Sequence, residues 1–305
     1  MPLDPTTPTL ITPPRVAIWS NGPLLLGCCM LFWAASVVVG RAAATTIPPS
    51  LFTVLRWAGA LVIALPLAWP YLRQDWPALL RRWKVVAVLA FLGVGAYNNL
   101  VYHGLHSTTA INALLLQSAT PLFVLIAVFA LYREPPTWRQ VIAILISVTG
   151  VVTIAARGSF AELASLQFNP GDVLVTGAVA LYAIYSALLR SRPKVHNLSL
   201  LTACIALGVV FMTPFAVAEY AGGARLQPTP LALFSLAYSA IFPAFLCYLL
   251  FNRGVELIGA PRAGQYLHLM PVFGVLLATV TLGEALSAYH GVGIGLIAAG
   301  LWLAR

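Results

Sequence analysis

"LYREPPTWRQVIAILISVTGVV" (Leu131–Val152) and "LGEALSAYHGVGIGLIAAGLWL" (Leu282–Leu303) share one frame when the numbering is shifted by 150 residues. Glu134 meets Glu284, Thr137 meets Ser287, Ile144 meets Ile294 and Gly150 meets Gly300. The frame runs upstream without a gap, pairing Leu100 with Leu250, Gly104 with Gly254, Ala110 with Ala260, Ala113 with Ala263, Pro121 with Pro271 and Phe123 with Phe273. Thr137 and Ser287 are each placed to cap the helix that follows, and "TWRQ" has the form of a capping box. Chance supplies some identities between apolar segments. A Pro, a Glu, a capping hydroxyl and a Gly in one register define an internal repeat.

What is repeated is apolar. The chain has 60% hydrophobic and 8% charged residues, with a mean hydropathy of +0.90. A soluble domain carries about 25% charged residues. A net charge of +9 raises the question of nucleic acid, but the charges are scattered between apolar runs and form no basic patch. A membrane span needs about 20 mostly apolar residues. Such windows fall near 20–40, 50–71, 85–105, 110–131, 138–156, 171–189, 198–218, 231–252, 262–282 and 288–304. Long apolar runs without alternation predict helices, since a lipid-facing backbone must satisfy itself. The expected fold is therefore all-α and integral to the membrane, with ten transmembrane helices. The Pro- and Thr-rich residues 1–18 form an expected disordered tail. The first apolar run is longer than a signal-peptide core and reads as a retained span.

Orientation follows from the cations. Of the 17 Lys and Arg, only Arg41, Arg157 and Arg225 fall on the side opposite both termini, and Arg56 lies inside the second window. The bias places both termini in the cytoplasm. Residues 19–157 and 169–305 hold five windows each. Five is odd, so the second copy crosses in the opposite sense. Inverted repeats of this kind belong to secondary transporters, whose substrate sites lie between the halves near the midplane.

The two opening stretches resemble the paired signature of the EamA family, in the drug/metabolite transporter superfamily. "LFTVLRWAGALVIAL" (Leu51–Leu65) resembles that family's second span, with its arginine at Arg56. "GCCMLFWAASVVVGR" (Gly27–Arg41) and "GAVALYAIYSALLR" (Gly177–Arg190) resemble its first and sixth. Nearly all of the chain beyond the tail is covered, and its length and aromatic interior are most similar to the YddG-like amino-acid exporters. The resemblance implies two five-helix halves around a central cavity in the bacterial inner membrane. It also implies export of neutral, above all aromatic, amino acids by alternating access. Multidrug or organic-cation export is the alternative within the superfamily.

"GVGAYNNLVYHGL" (Gly93–Leu105) carries the polarity that a cavity needs. At about 100° per residue, Asn98, Asn99, Tyr102, His103 and His106 share an arc of roughly 140°, and Tyr97 points nearly opposite. Unpaired polar groups in lipid cost several kcal/mol, so that face meets protein or water. Interhelical bonding is one reading. The number of large polar groups favours a cavity lining. Asn112, Gln117 and Ser118 follow in the fourth window. Tyr248 and Asn252 lie in the eighth, and Gln265, Tyr266 and His268 in the ninth. Trp33, Tyr182 and Tyr185 are candidate aromatic walls, although packing or an interfacial belt accounts for any one aromatic equally well. The expected substrate-binding residues are Trp33, Asn98, Asn99, Tyr102, His103, Gln117, Tyr182, Tyr248, Gln265, Tyr266 and His268. This neutral lining suits a small zwitterion, or a flat cation over ring faces.

Arg56 is expected either to meet a carboxylate or gate a mouth, or else to snorkel toward the outer surface or bond helix-end carbonyls. Glu134 and Glu284 are expected to be structural, as carboxylates near helix N-termini. Pro121 and Pro271 are expected to kink their spans, together with Pro214 and Pro243. "GVGIG" (Gly291–Gly295) permits close helix packing, but a monomer is expected rather than a dimer. Cys28, Cys29, Cys204 and Cys247 read as small buried hydrophobes. No carboxylate lies well inside a window, and only His103, His106 and His268 offer themselves for proton coupling, so the chain is a facilitator or a histidine-coupled carrier. His103 and His106 lack a third ligand for zinc. No phosphate loop, paired aspartates or GxSxG appears, which argues against an ATPase or an intramembrane enzyme. No cofactor is expected. Both lysines lie in loops, against a retinal Schiff base. A lipid scramblase remains the other rival.

Overall fold

The structure, a computed structural model, describes residues 17–159, 169–259, 263 and 266–303. Helix is the only regular structure among them. Gln265 and residues 1–16 of the expected tail lie outside the described residues, and Ala17–Ser20 form a 3-10 turn.

The α-helices in chain order are α1 (Gly22–Ala42), α2 (Pro49–Arg81), α3 (Trp83–Leu89), α4 (Tyr97–Leu105), α5 (Ala110–Ser118), α6 (Thr120–Tyr132) and α7 (Trp138–Ala155). They continue with α8 (Pro170–Leu188), α9 (Asn197–Ala221), α10 (Pro230–Ile241), α11 (Cys247–Ile258), α12 (Leu269–Leu282) and α13 (Ala288–Leu303). Their starts are written locally. Asn21, Thr109, Thr137, Asn169 and Thr229 each accept a backbone N–H of the first turn, four of them immediately before or one residue before a Pro or a small apolar residue. Thr137 and Gln140 form the expected capping box.

Six helical stretches are long and apolar enough to cross a bilayer, or seven if α5 and α6 make one span bent by 45°. The bend falls at Ala119, just ahead of Pro121 in the first turn of α6, where the missing N–H and the ring of proline interrupt the ladder. Pro271 lies in the first turn of α12, a tolerated place, so it starts a helix there and does not kink one. The second window is longer than expected: α2 has 33 residues and continues past 71 to Arg81. Leu72 and Leu79 keep one stripe of this extension buried, while Trp69, Tyr71 and Trp76 face outward.

Outward-facing apolar side chains such as Val62, Leu145, Val210, Val280 and Trp302 mark a protein whose solvent is lipid. The protein is an all-α, multi-pass integral membrane protein. At its centre lies α5, whose residues 110–117 are all buried, its two large polar side chains, Asn112 and Gln117, being hydrogen-bonded within the protein. The most extensive packing joins α2 to α9 and α7 to α13; α1 packs on α11 and α12, and α8 on α4 and α6.

The α7–α13 contact explains the glycines of the opening stretches. A Cβ on Gly150 would stand 2.8 Å from the Gly293 carbonyl, and one on Gly300 would press on the Ala143 carbonyl at 2.6 Å and on Ser147. Gly293 is thus spent within the chain, while Gly291 and Gly295 face open space.

Two π-helical segments interrupt long helices, Ala90–Ala96 between α3 and α4 and Phe242–Leu246 between α10 and α11. Residues 92–96 and 242–246 coincide in the frame of 150 residues. Such segments release carbonyls from the ladder, and both do so toward side chains of other helices or of the next turn, which builds the site.

Candidate functional site

Arg56 is buried on α2, 7% exposed. Its Nη1 donates to Asn98 Oδ1 at 2.8 Å and to the Tyr102 hydroxyl at 2.6 Å, and its Nε donates to the Ser239 carbonyl at 3.2 Å. Pro243 explains that last acceptor. Proline has no N–H, so the carbonyl four residues back has no helical partner, and Arg56 takes it. Of the sequence expectations, snorkelling is excluded, while the bond to a carbonyl near a helix end is present, to Ser239 in the last turn of α10. The guanidinium points inward and joins α2, α4 and α10. Nη2 makes no hydrogen bond among the described residues.

Asn98 completes the hub by donating to the Gly93 and Val94 carbonyls at 3.2 and 2.9 Å, both within the first π segment. Tyr102 is held from behind by Phe52, with ring centroids 4.4 Å apart. Asn98 and Tyr102 therefore come together as expected. Asn99 is half-buried, and its Oδ1 is buried without a partner. His103 diverges from the hub: Nδ1 meets the Asn99 carbonyl at 2.8 Å and Nε2 meets Glu219 at 3.2 Å.

The wheel sets Tyr97 opposite Asn98 and Tyr102, and that side of α4 also meets protein. The Tyr97 hydroxyl donates to Gln117 Oε1 at 2.8 Å and its ring lies 4.9 Å from that of Tyr182. Tyr182 continues to Tyr185 at 5.4 Å, and Tyr185 packs so closely on Gly93 that a Cβ there would stand 2.5 Å away. The wheel assigned one polar face to the helix, but α4 is contacted on both sides, by α2 and by α8. The signal that would have found Tyr97 is "GVGA" before it, small residues that admit neighbouring rings.

A second aromatic group forms from α1 and α11. Trp33 Nε1 donates to the Pro243 carbonyl at 3.2 Å, in the second π segment, and its ring lies 5.6 Å from Phe251. Tyr266 packs into the same cluster. Tyr248 is half-buried on α11. His268 lies in a 3-10 turn at Tyr266–His268, its side chain outside the described residues.

A separate polar cluster occupies one end of the bundle, where α4 finishes and α5 and α8 begin. Asp172, in the first turn of α8, is 0% exposed. It accepts from Thr108 Oγ1 and from Asn112 Nδ2 at 3.2 Å. His290 Nε2 meets Asn112 Oδ1 at 2.8 Å, and His290 Nδ1 accepts the Ser287 N–H at 2.9 Å. The accepting Nδ1 puts the proton on Nε2. Glu284 accepts the Ala110 and Ile111 N–H groups at 2.8 and 2.9 Å. It is a helix-capping carboxylate as expected, but for α5 and not for the helix it precedes. Glu134 instead pairs with Arg190 at 2.7 Å on the exposed opposite end. Glu219 accepts the Ser50 and Leu51 N–H groups at the start of α2. Arg41 donates to the Leu105 and His106 carbonyls. His106, beyond α4, is held below the ordinary imidazole value by desolvation and by neighbouring His103.

Asp172 and His290 are therefore buried titratable groups, each in the first turn of its helix, outside the polar face expected from the sequence. For His290 the signal was present. The frame of 150 residues sets it against Gln140, and both accept the N–H of their own cap residue. Among the described residues no group of three or more His, Cys, Asp or Glu is placed to hold a metal ion.

The pattern of the EamA-like transporter family matches the chain twice, over residues 20–156 and 169–305. The chain belongs to this family; it is a secondary transporter of small molecules and not an enzyme. It is 30% identical to the uncharacterized transporter YetK of Bacillus subtilis (strain 168), over 91% of this chain and 84% of that protein. It is 25% identical to a probable terminal-alkyne amino-acid exporter of Streptantibioticus cattleyicolor, over 72% of each. A solved crystal structure superposes with a TM-score of 0.61 at 20% identity, over 94% of this chain and 96% of that chain, a likeness of fold.

Proposed function

We propose that the protein exports neutral amino acids, aromatic ones among them, by alternating access. In this reading α7, α12 and α13 also cross the membrane. The ten spans then form two inverted five-helix halves in a bacterial inner membrane, with both termini cytoplasmic and the chain acting as a monomer. The double family match and the two π segments in one frame support the halves.

The observation that carries the substrate class is the buried Arg56, with Nη2 uncommitted, among neutral hydrogen-bonding and aromatic groups. A guanidinium of this kind receives a carboxylate. Asn99 Oδ1, buried and without a partner, is an acceptor of the kind an ammonium group needs. Tyr97, Tyr182, Trp33 and Tyr266 supply ring faces for an apolar side chain. The same guanidinium opposes an organic cation. The Streptantibioticus relative, a probable terminal-alkyne amino-acid exporter, agrees with this reading.

The test is counterflow into proteoliposomes. Phenylalanine and leucine should exchange, while phosphoserine and a tetraphenylphosphonium-like cation should not. Exchange of the cation alone would overturn the reading.

A further inference from the structure

The two matched segments touch at both ends of the bundle, but in different ways. At the end where α5 and α8 begin, three carboxylates of the second segment reach into the first. Glu219 holds Ser50 N–H, Ser50 Oγ at 2.7 Å and Leu51 N–H at the start of α2, and meets His103. Glu284 holds the first two N–H groups of α5. Asp172 holds Thr108 and Asn112 beside them. His290 adds a fourth contact across the segments, to Asn112, and the Gln227 N–H bonds the Thr46 carbonyl at 2.9 Å. At the opposite end the carboxylates that cross between segments lie on the surface. The Glu134–Arg190 pair has side chains 57% and 53% exposed, and Asp75 accepts the exposed His196 N–H.

A carboxylate on free N–H groups at a helix start satisfies orphan donors and meets the positive end of the helix dipole. Charge-assisted hydrogen bonds of this kind are stronger than neutral ones. They are also reversible, because water can replace both partners once the segments part. Two of the three, Glu219 on α2 and Glu284 on α5, hold N–H groups in this way, and Asp172 holds the side chains of Thr108 and Asn112 beside them, so the starts of these first-segment helices are tied to the second segment.

We propose that Asp172, Glu219 and Glu284 are the gate that closes this end of the transport path, and that substrate crosses this end only when their bonds to Thr108, Asn112, Ser50, Leu51, Ala110 and Ile111 break. The proposal rests on the alternating-access reading above. It makes Asp172 and Glu284 positioning residues of the cycle and assigns them no contact with substrate. Glutamine in place of Glu284 keeps the shape but loses the charge and one of the two acceptor oxygens, so the closed state weakens relative to the open one.

The experiment follows access to a buried position behind the gate. Ala113, one turn inward from Ala110 and 0% exposed, is replaced by Cys after removal of the four native cysteines, and the full chain is placed in lipid vesicles. A membrane-impermeant maleimide is applied from the side of the 43–48 loop. Labelling should be slow with the gate intact. It should rise by at least about tenfold in Glu284→Gln combined with Asp172→Asn, since the loss of even one charged hydrogen bond implies a change of that size. Glu256→Gln, in an exposed pair with Arg253 at the other end, should leave the rate within about twofold.

If the double variant elutes as folded protein and labels no faster, the proposal is overturned. Should it fail to fold, Glu219→Gln with Thr53→Cys, one turn inward from Ser50, asks the same question at α2, and an unchanged rate there overturns the proposal equally. Substrate addition separates the two ideas. If phenylalanine alters labelling of the intact-gate protein but the gate variants do not, alternating access stands and the gate assignment fails. If phenylalanine alters labelling at neither end, the alternating-access reading fails.

Discussion

Arg56 is the residue on which most of the interior depends, and its environment states what a substitution does. Its donors reach a carbonyl, an amide oxygen and a phenol on two different helices, a spread that suits a planar fork and not a single ammonium. Arg56→Lys should therefore lower exchange to about a tenth or less while leaving one partner unsatisfied, at a stability cost of about 1–3 kcal/mol. Counterflow and thermal unfolding of the same preparation read the two effects. Tyr97→Phe removes the hydroxyl bond to Gln117 but keeps the ring against Tyr182. It should cost about 1 kcal/mol in stability and shift substrate affinity more than maximal rate. Wild-type affinity in Tyr97→Phe would mean that the hydroxyl bond to Gln117 takes no part in holding substrate.

Among the elements, α7 and α13 carry the sharpest geometric demand. Their backbones meet at Gly150, Gly293 and Gly300, and a methyl at any of the three collides with the other helix. Gly150→Ala and Gly293→Ala should destabilise by about 1–3 kcal/mol each, the usual cost of overpacking. Gly291→Ala and Gly295→Ala, which face open space, should be neutral or slightly stabilising through helix propensity. Denaturant titration of the four variants in one detergent checks the contrast. Equal losses at all four would mean that the outer face of α13 is also occupied, as in a dimer. The π segments make a comparable point about long helices: Pro243 frees the Ser239 carbonyl within a run that composition alone reads as one continuous span.

For the whole molecule, the measurable quantities are sidedness and coupling. Reporter fusions after Arg305 and within residues 159–169 should give opposite sidedness; identical sidedness would reject the ten-span count. Every carboxylate found in the buried end cluster is occupied by hydrogen bonds to N–H, hydroxyl or amide donors. A substrate gradient alone should then drive flux, and a pH gradient should yield no net accumulation of phenylalanine in liposomes. Accumulation driven by pH and lost in His290→Gln or His103→Gln would make the protein a histidine-coupled carrier and leave its fold untouched.

Composition, the frame of 150 residues and the capping box at Thr137 were enough to place this chain in the membrane as a helical protein of repeated design, because hydropathy and a side-chain cap within one turn are local properties. The same local reading found Asn98, Tyr102, Gln117 and Arg56, since a large polar group inside an apolar run is conspicuous wherever it points. Partnership was not legible. Whether Glu284 caps its own helix or α5, whether Tyr97 faces lipid or Tyr182, and whether Asp172 is solvated or buried behind Asn112 and His290 depend on which helices lie side by side. Such contacts join residues far apart in the chain, as with Trp33 and Pro243, 210 positions apart. They are decided only when the tertiary structure brings a free carbonyl or N–H from one helix against the side chain of another, because burial then obliges every polar group to find a partner that its own segment does not supply.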